Sequence, residues 1–246
     1  MSPPKLEHAN LAFVQTDVAR WDDLVALFKR AHELYGRIDH VHANAGISTR
    51  ANYFEDKYSE SGELLEPSSQ VLDVNLKGVV NTVYLGMHYM RHQQPPGGSI
   101  VMTASASSFQ RFRVTDYTTA KHAVLGFMRG LVPSIKAEGL PIRVNTLAPD
   151  WTHTGIVPEV MQKILGEHIQ GPGVIAQAAC CCMSDASRQG QLIFTKGGIH
   201  KEVEESVLQG AAKEIIGRDL AAADTLDGQL KSAAAELERQ LRAQQG

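Results

Sequence analysis

Cysteine is scarce in this sequence: three of the 246 residues are cysteine, and they are adjacent, at Cys180, Cys181 and Cys182. Three neighbouring side chains on a helix point in different directions, so they cannot converge on one metal ion. No other cysteine is available to build a disulfide framework, which fits a reducing compartment. We therefore expect buried helical cysteines, no metal site and a cytoplasmic location.

The sequence also lacks a strong excess of charge and any long apolar run. Its net charge is -3, with 21% charged and 43% apolar residues, which is ordinary for a globular protein. This balance gives no indication of a nucleic-acid or anionic-membrane partner. Residues 1–10 contain no apolar segment typical of a secretory signal, and no run approaches the length of a transmembrane helix. We expect neither a nucleic-acid nor a membrane partner.

Short strand-like runs alternate with longer helix-like runs along the chain. The predicted strands are 11–16, 38–43, 99–103, 142–147 and 191–194, and the predicted helices are 21–35, 71–90, 117–137 and 176–183. Residues 47–69 are polar and irregular, which indicates a loop on the rim of the domain. Strands that alternate with helices predict an α/β fold whose parallel sheet is covered on both faces.

Polar residues directly follow several of the predicted strands. Asp17, Asn44 and Ser105 each come at or just after the end of a strand, and a loop begins at Pro149 after another. In open parallel sheets, ligands bind at the carboxyl ends of the strands. The sequence therefore predicts a ligand site at this end of the sheet.

Tyr117 and Lys121 lie four residues apart at the front of a predicted helix, so their side chains share one face. The unperturbed pKa of a phenol is about 10. An ammonium group nearby favours the phenolate and lowers that pKa, which makes the phenol a usable proton donor or acceptor. The same spacing also occurs in ordinary helices that hold a partly buried tyrosine and a solvated lysine, so the pair alone does not define a site.

Taken together, the ordered motifs resemble the short-chain dehydrogenase/reductase family over about residues 11–205. The motifs are His42-Ala43-Asn44-Ala45-Gly46, Val74-Asn75-Leu76-Lys77-Gly78, Ser105 twelve positions before Tyr117, Tyr117-x-x-x-Lys121, and Arg143-Val144-Asn145-Thr146-Leu147-Ala148-Pro149. The run from Lys121 to Gly126 and the ending Gly197-Gly198-Ile199-His200-Lys201-Glu202 most resemble the hydroxyprostaglandin-dehydrogenase-like branch, which includes many fungal members.

The resemblance implies a Rossmann-like doubly wound sheet and hydride transfer between NAD or NADP and a secondary alcohol or ketone. By the family's pattern, Tyr117 exchanges a proton with the substrate, and Lys121 lowers the Tyr117 pKa and holds the nicotinamide ribose. Ser105 hydrogen-bonds the reacting oxygen. Asn75 positions a water that relays protons from Lys121, although an asparagine here is also explained as a hydrogen-bonding residue that kinks the helix.

The resemblance also implies cofactor contacts outside these four residues. Asp17 would lie near the adenine, Asn44 near the adenosine ribose, and Thr152 and Thr154 near the nicotinamide amide. Each position has a structural explanation as well: Asp17 fits the N-cap region of a helix and Thr154 fits a helix cap. The choice between NAD and NADP stays open, and the branch resemblance favours NAD.

The sequence departs from the family at its front and in one loop. The family's first strand, its T-G-x-x-x-G-x-G turn and its second strand have no counterpart here. We therefore expect a sheet that is incomplete at the N-terminus, with the first two strands absent, and weak dinucleotide binding, because that turn supplies the pyrophosphate site. Asp150 stands where the family's loop usually has glycine, which puts the geometry of that loop in doubt.

Two functions therefore remain open at this stage. The first is a short-chain oxidoreductase, and the alternative is a catalytically inactive relative that acts only as a scaffold or dimer partner. The family usually dimerises through two long helices, here 71–90 and 115–137, so a homo-oligomer, dimer or tetramer, is expected. The substrate pocket would include apolar side chains that indicate an apolar substrate: Phe109, Phe112, Trp151 and Ile156.

The composition shifts after the Gly197-Gly198 pair. We divide the chain into an NAD(P)-binding Rossmann-like domain, residues 1–205, and a C-terminal helical extension, residues 206–246. An apolar stripe in the extension fits either a helix docked on the domain or a subunit contact. The stripe consists of Leu226, Leu230, Ala233, Leu237 and Leu241.

Overall fold

The structure is a computed structural model, and it describes residues 10–217 together with Leu230 and Ala233. A five-stranded sheet lies at the centre of this part of the chain. The strands are β1 (His40–Ala43), β2 (Gly98–Thr103), β3 (Ile142–Pro149), β4 (Leu192–Lys196) and β5 (Ile199–Glu202). Their order in the sheet is β1-β2-β3-β4-β5, with parallel pairing from β1 to β4 and antiparallel pairing of β5 with β4. The predicted α/β class with a mostly parallel sheet is confirmed.

The helices are α1 (Trp21–Tyr35), α2 (Gln70–Leu72), α3 (Gly78–His92), α4 (Thr115–Ala137), α5 (Glu159–Leu165), α6 (Pro172–Ser184) and α7 (Gln209–Ile216). They cover both faces of the sheet. Alternate residues of a strand point to opposite faces, so each face has apolar side chains for helices to cover. Ile100 and Met102 of β2 pack in one cluster with α1, α3 and α4, whereas Val101 packs in a second cluster with α6.

The predicted strand at 11–16 is wrong, since these residues form no regular element. A strand needs a neighbouring backbone to accept and donate its hydrogen bonds, and residues 11–16 pair with no strand among the described residues. Leu11 and Phe13, which a sheet would have buried, are exposed. Strand β5 was not predicted, although the two-residue Gly197-Gly198 connection, with φ of 55° and 85°, is typical of a tight hairpin turn.

The predicted helix at 71–90 is interrupted by a π-helical turn, Asp73–Lys77, between α2 and α3. The turn closes with the Gly78 amide donating to the Asp73 carbonyl, five residues back. Single π-helical turns within α-helices occur frequently at functional sites. Asn75 lies at the centre of this turn and is buried.

Helix α6 carries the three cysteines, and only Cys182 is buried, so the expectation of three buried cysteines is wrong for Cys180 and Cys181. The C-terminal extension begins within a π-helical turn, Glu204–Leu208, which α7 follows. The structure describes its residues 206–217, Leu230 and Ala233. Most of the predicted apolar stripe, including Leu226, Leu237 and Leu241, lies outside the described residues. No helix in the described ranges has the length and apolar character needed to cross a bilayer.

An ion pair between the exposed side chain of Arg129 and a buried carboxylate attaches the segment after β5 to α4. Glu204 is buried, and its carboxylate accepts hydrogen bonds from Arg129 Nε at 2.6 Å and Arg129 Nη2 at 3.0 Å. Gln209 Nε2 donates to the same carboxylate at 2.7 Å. These three N–H donors compensate the Glu204 carboxylate for the loss of its hydration.

We expect Arg129→Ala to lower the free energy of unfolding by about 3 kcal/mol, because it leaves the Glu204 carboxylate buried with one remaining side-chain donor. Urea unfolding followed by circular dichroism measures the change. Arg30→Ala is the matched control, since Arg30 pairs with Glu33 at 3.6 Å on an exposed helix face, where the loss is about 0.5 kcal/mol or less. Equal losses in the two variants would contradict a stabilising role for the pair with Glu204.

Candidate active site

The carboxyl ends of β1 and β2 and the first turns of α4 place four predicted side chains close together. Ser105 follows β2, and Tyr117 and Lys121 lie on the first two turns of α4. The Ser105 side chain lies close enough to the Tyr117 hydroxyl to lower the pKa of the phenol. Lys121 Nζ lies 5.6 Å from the centroid of the Tyr117 ring. The fourth residue, Asn75, reaches the same place from the π-helical turn.

Lys121 is an ammonium group with little access to water. Its residue surface is 2% exposed, and Nζ donates one hydrogen bond, to the Thr103 carbonyl at 2.7 Å. Burial lowers the pKa of Lys121 to about 8. An ammonium has three N–H donors, so two of them have no acceptor among the described residues. A buried cation in this condition indicates a site built to bind a polar ligand.

The Tyr117 phenol is affected by burial more than by its partner. Burial raises the pKa of Tyr117, and the Ser105 side chain acts in the opposite direction without cancelling the rise. The net pKa of Tyr117 therefore lies above its usual value in this structure, and the expectation that Lys121 acts to lower it stays a prediction. The physical reason for the rise is that loss of water disfavours the phenolate, just as it disfavours the Lys121 ammonium.

A short 3₁₀ turn, Ala106–Ser108, holds Ser105 in place. Ser105 is the N-cap of this turn, and its Oγ accepts a hydrogen bond from the Ser107 amide at 3.2 Å. Ser108 Oγ accepts from the Ser105 amide at 3.2 Å and donates to the Lys121 carbonyl at 2.7 Å. Ser108 thus fixes Ser105 relative to α4. The run of small polar residues at 104–108 did not indicate which serine has this role.

Asn75 holds the chain that leaves β1. Its Oδ1 accepts from the Ile47 amide at 2.8 Å, and its Nδ2 donates to the Ile47 carbonyl at 2.9 Å. Gly46 lies directly against the site: a Cβ there would lie 3.4 Å from Asn75 Oδ1 and 3.7 Å from Lys121 Nζ. Gly46 therefore borders both of these buried polar groups on one side and a cleft on the other.

That cleft has a volume of about 990 Å³ and is bordered by both Gly46 and Asp17. Asp17 is exposed, and its Oδ1 accepts from the Ala19 amide at 3.0 Å, which is the local turn contact that the structural explanation anticipated. Gly78 allows this segment to approach α3, since a Cβ there would lie 2.8 Å from a Val18 methyl group. Asp17 therefore lines the cleft and also stabilises its own turn.

Asn44 is tied to the strand that carries the lysine contact. Thr103 Oγ1 donates to Asn44 Oδ1 at 2.8 Å and lies 3.0 Å from His42 Nε2, while the Thr103 carbonyl accepts from Lys121. Burial lowers the pKa of His42, so its ring is predominantly neutral at pH 7. Thr103, which sequence reasoning missed, connects the predicted ribose-binding asparagine to the predicted ribose-binding lysine.

The loop after β3 carries the remaining predicted residues. Thr152 Oγ1 donates to the Asp150 carbonyl at 2.8 Å, and Thr154 Oγ1 makes a long contact of 3.4 Å with the Thr152 carbonyl. The Asp150 carboxylate pairs with Lys196 Nζ at 3.1 Å, which offsets the charge that replaces the usual glycine. Gln170 Nε2 lies 3.2 Å from Thr152 Oγ1 and 3.0 Å from the Thr195 carbonyl. Gln170 therefore joins this loop to β4.

Comparison with known proteins identifies the class to which this arrangement belongs. A family model described as short chain dehydrogenase matches residues 4–165. The chain belongs to the short-chain dehydrogenase family, a family of oxidoreductases. Nothing in the comparisons favours an inactive scaffold.

The individual relatives agree with the predicted branch. The chain is 44% identical to the short-chain dehydrogenase/reductase ascJ of Acremonium egyptiacum over 220 residues, covering 88% of this chain and 74% of the relative. It is 38% identical to prx4 of Penicillium rubens, covering 80% of this chain and 59% of the relative, so it spans less than two thirds of that protein. Human 15-hydroxyprostaglandin dehydrogenase (NAD+) is 24% identical over 80% of this chain and 76% of the relative.

Solved structures support the fold. The crystal structure of levodione reductase superposes with a TM-score of 0.62 at 24% identity, covering 74% of each chain. At this identity the similarity concerns the architecture alone.

We expect Lys121 to make stability depend on pH. Its pKa is about 8 in the folded chain against an ordinary 10.5, so the unfolded state holds more protons between these values and stability rises with pH across that window. Lys121→Met removes this dependence. The free energy of unfolding of wild type should therefore gain roughly 2 to 3 kcal/mol relative to the variant between pH 8 and 10.5.

Urea unfolding at closely spaced pH values measures this difference. Lys136→Met is the control, because Lys136 is exposed near the end of the same helix and should show no such change. A constant difference between wild type and Lys121→Met across the window would mean that Lys121 is not buried as a depressed-pKa ammonium.

Proposed function

We propose that this chain is an NAD- or NADP-dependent oxidoreductase that interconverts a secondary alcohol and a ketone. The observation that carries the proposal is the convergence of a buried, under-bonded ammonium at Lys121, the Tyr117 phenol and the Ser105 hydroxyl. A scaffold protein has no use for a buried cation beside a phenol, and burying one is unfavourable. An enzyme that moves a proton has a use for both.

The bound nicotinamide supplies the hydride in reduction and accepts it in oxidation. In reduction, Tyr117 donates its phenolic proton to the carbonyl oxygen as the carbonyl carbon gains the hydride. Ser105 donates a hydrogen bond to the same oxygen and stabilises the charge that develops there. Lys121 stabilises the phenolate that Tyr117 becomes. The raised pKa of Tyr117 keeps the phenol protonated at neutral pH, which suits the reduction direction.

The residues present fit the nicotinamide end of a dinucleotide. The free N–H donors of Lys121 would hold ribose hydroxyl groups beside Gly46. Asn44 and Asp17 would contact the adenosine part, and Thr152 and Thr154 the nicotinamide amide. Asn75 would position a relay water near Lys121. The resemblance to the prostaglandin-dehydrogenase branch favours NAD over NADP.

We propose an apolar substrate, because aromatic side chains converge beside the front of α4. The Phe112 and Trp151 rings lie 5.5 Å apart between centroids. Their contact joins the segment before α4 to the loop after β3. Phe109 packs at 6.0 Å against Phe194. These rings offer a wall against which the apolar part of a ketone or alcohol would pack.

We also propose that the protein forms a homo-oligomer, a dimer or tetramer, through α3 and α4. The outer face of α4 presents the small exposed residues Thr119, Gly126 and Gly130, and α3 presents the exposed ring of Tyr84. Small residues allow two helices to approach closely. A cytoplasmic location and the division at residue 205 into a cofactor-binding domain and a helical extension complete the proposal.

We expect Tyr117→Phe to lower kcat for carbonyl reduction by at least about 100-fold, since the variant keeps the ring but loses the proton donor. The assay follows NADH or NADPH oxidation with a panel of apolar ketones. The assay includes cofactor up to millimolar concentration, because we expect weak dinucleotide binding. Tyr35→Phe is the control, because Tyr35 is exposed on α1 and its hydroxyl donates to the Asn10 carbonyl, away from the site. Full activity of folded Tyr117→Phe would overturn the proposed role.

A further inference from the structure

A buried carboxylate lies immediately before Tyr117 and is not used by the proposed reaction. Asp116 is 1% exposed and sits in the first turn of α4. Its Oδ1 accepts from Thr49 Oγ1 at 2.5 Å and from the Tyr117 amide at 2.7 Å. Its Oδ2 accepts from the Arg50 and Ala51 amides, both at 2.9 Å. One side chain therefore joins the rim loop, residues 47–69, to the helix that carries Tyr117.

The surroundings of Asp116 specify a carboxylate. All four partners are donors, and only an ionised carboxylate offers acceptor capacity on both oxygens. An asparagine would present an NH₂ group either to the two loop amides or to the Tyr117 amide, and so would leave an N–H group unpaired. The N-terminal end of α4 also favours a negative charge. Burial raises the pKa of Asp116, but the hydrogen bonds from Ala51, Thr49 and Arg50 outweigh it and lower the pKa overall.

The rim loop is attached to the domain at two neighbouring places. Asn75 holds Ile47 from the π-helical turn, and Asp116 holds Thr49, Arg50 and Ala51 from α4. Residues 52–66 beyond these attachments carry the exposed apolar side chains Tyr53, Phe54, Tyr58, Leu64 and Leu65. The hydrogen bonds to Asp116 therefore set the direction in which residues 52–66 leave the site.

We propose that Asp116 is a positioning residue: it fixes the start of the rim loop against α4 and so sets one wall of the substrate pocket beside Tyr117. The pocket wall rests on the proposed function, whereas the anchoring of the loop does not. Asp116 acts through Thr49, Arg50 and Ala51 and through the Tyr117 backbone, and it takes no part in proton transfer.

Hydrogen exchange tests the anchoring without requiring activity. In Asp116→Asn, we expect the Arg50 and Ala51 amides to exchange about tenfold faster or more, while amides in β2 and β3 keep their protection. Thr49→Val removes the hydroxyl donor and should accelerate exchange at these amides by a smaller factor. Thr49→Ser keeps a hydroxyl donor, so exchange should be as slow as in wild type. The control is Asp56→Asn, which makes the same charge change at an exposed position in the same loop.

Steady-state kinetics with the ketone panel tests the pocket wall. In Asp116→Asn, we expect KM for the ketone to rise about tenfold and kcat to change by less than about threefold, because the proton donor remains. Unchanged exchange at Arg50 and Ala51 would overturn the anchoring role, and faster exchange with unchanged KM would overturn the pocket role. If wild type reduces no ketone, the proposed function and the pocket wall both fall, and the exchange result still decides whether Asp116 anchors the loop.

Discussion

The ammonium group of Lys121, held away from water, is the constraint on which the site depends. A buried cation is unfavourable unless polar groups compensate it, and the described residues supply one acceptor for it. That acceptor is the Thr103 carbonyl at the end of β2, and Gly46 borders both Lys121 Nζ and Asn75 Oδ1. The backbone of Lys121 is itself tied to the Ser105 turn through Ser108. The contacts of Lys121 also fix the positions of the residues around it.

Two helical segments hold the chain that borders the site. The π-helical turn holds the chain leaving β1 through Asn75, and the first turn of α4 holds the continuation through Asp116. Apart from the Thr49 hydroxyl, the groups they hold are backbone groups, so the sequence of the rim loop beyond Thr49 can vary without losing them. The loop can therefore present different side chains to a substrate while its starting point stays fixed.

Much of this could be predicted from the sequence, because apolar periodicity and residue spacing reflect local geometry. The α/β class, the helix at Trp21–Tyr35 and the approach of Tyr117 to Lys121 follow from such patterns. Other features depend on distant partners. The run at 11–16 has strand composition but no strand to pair with among the described residues, and the loop partners of Asp116 are more than sixty positions away. The direction of the Tyr117 pKa also depends on burial, which spacing does not reveal.

The π-helical turn at Asp73–Lys77 has a consequence for how this helix can change. The turn holds one residue more than a regular helix would use over the same length. Deleting a residue there would restore the ordinary hydrogen-bonding ladder, and local helix stability would improve. Each residue advances an α-helix by about 100°, so the deletion would also swing Asn75 away from Ile47. The extra residue of the π-helical turn therefore interrupts the regular hydrogen bonding of the helix but orients Asn75 toward Ile47. We expect an insertion or deletion in this turn to break the hydrogen bonds between Asn75 and Ile47.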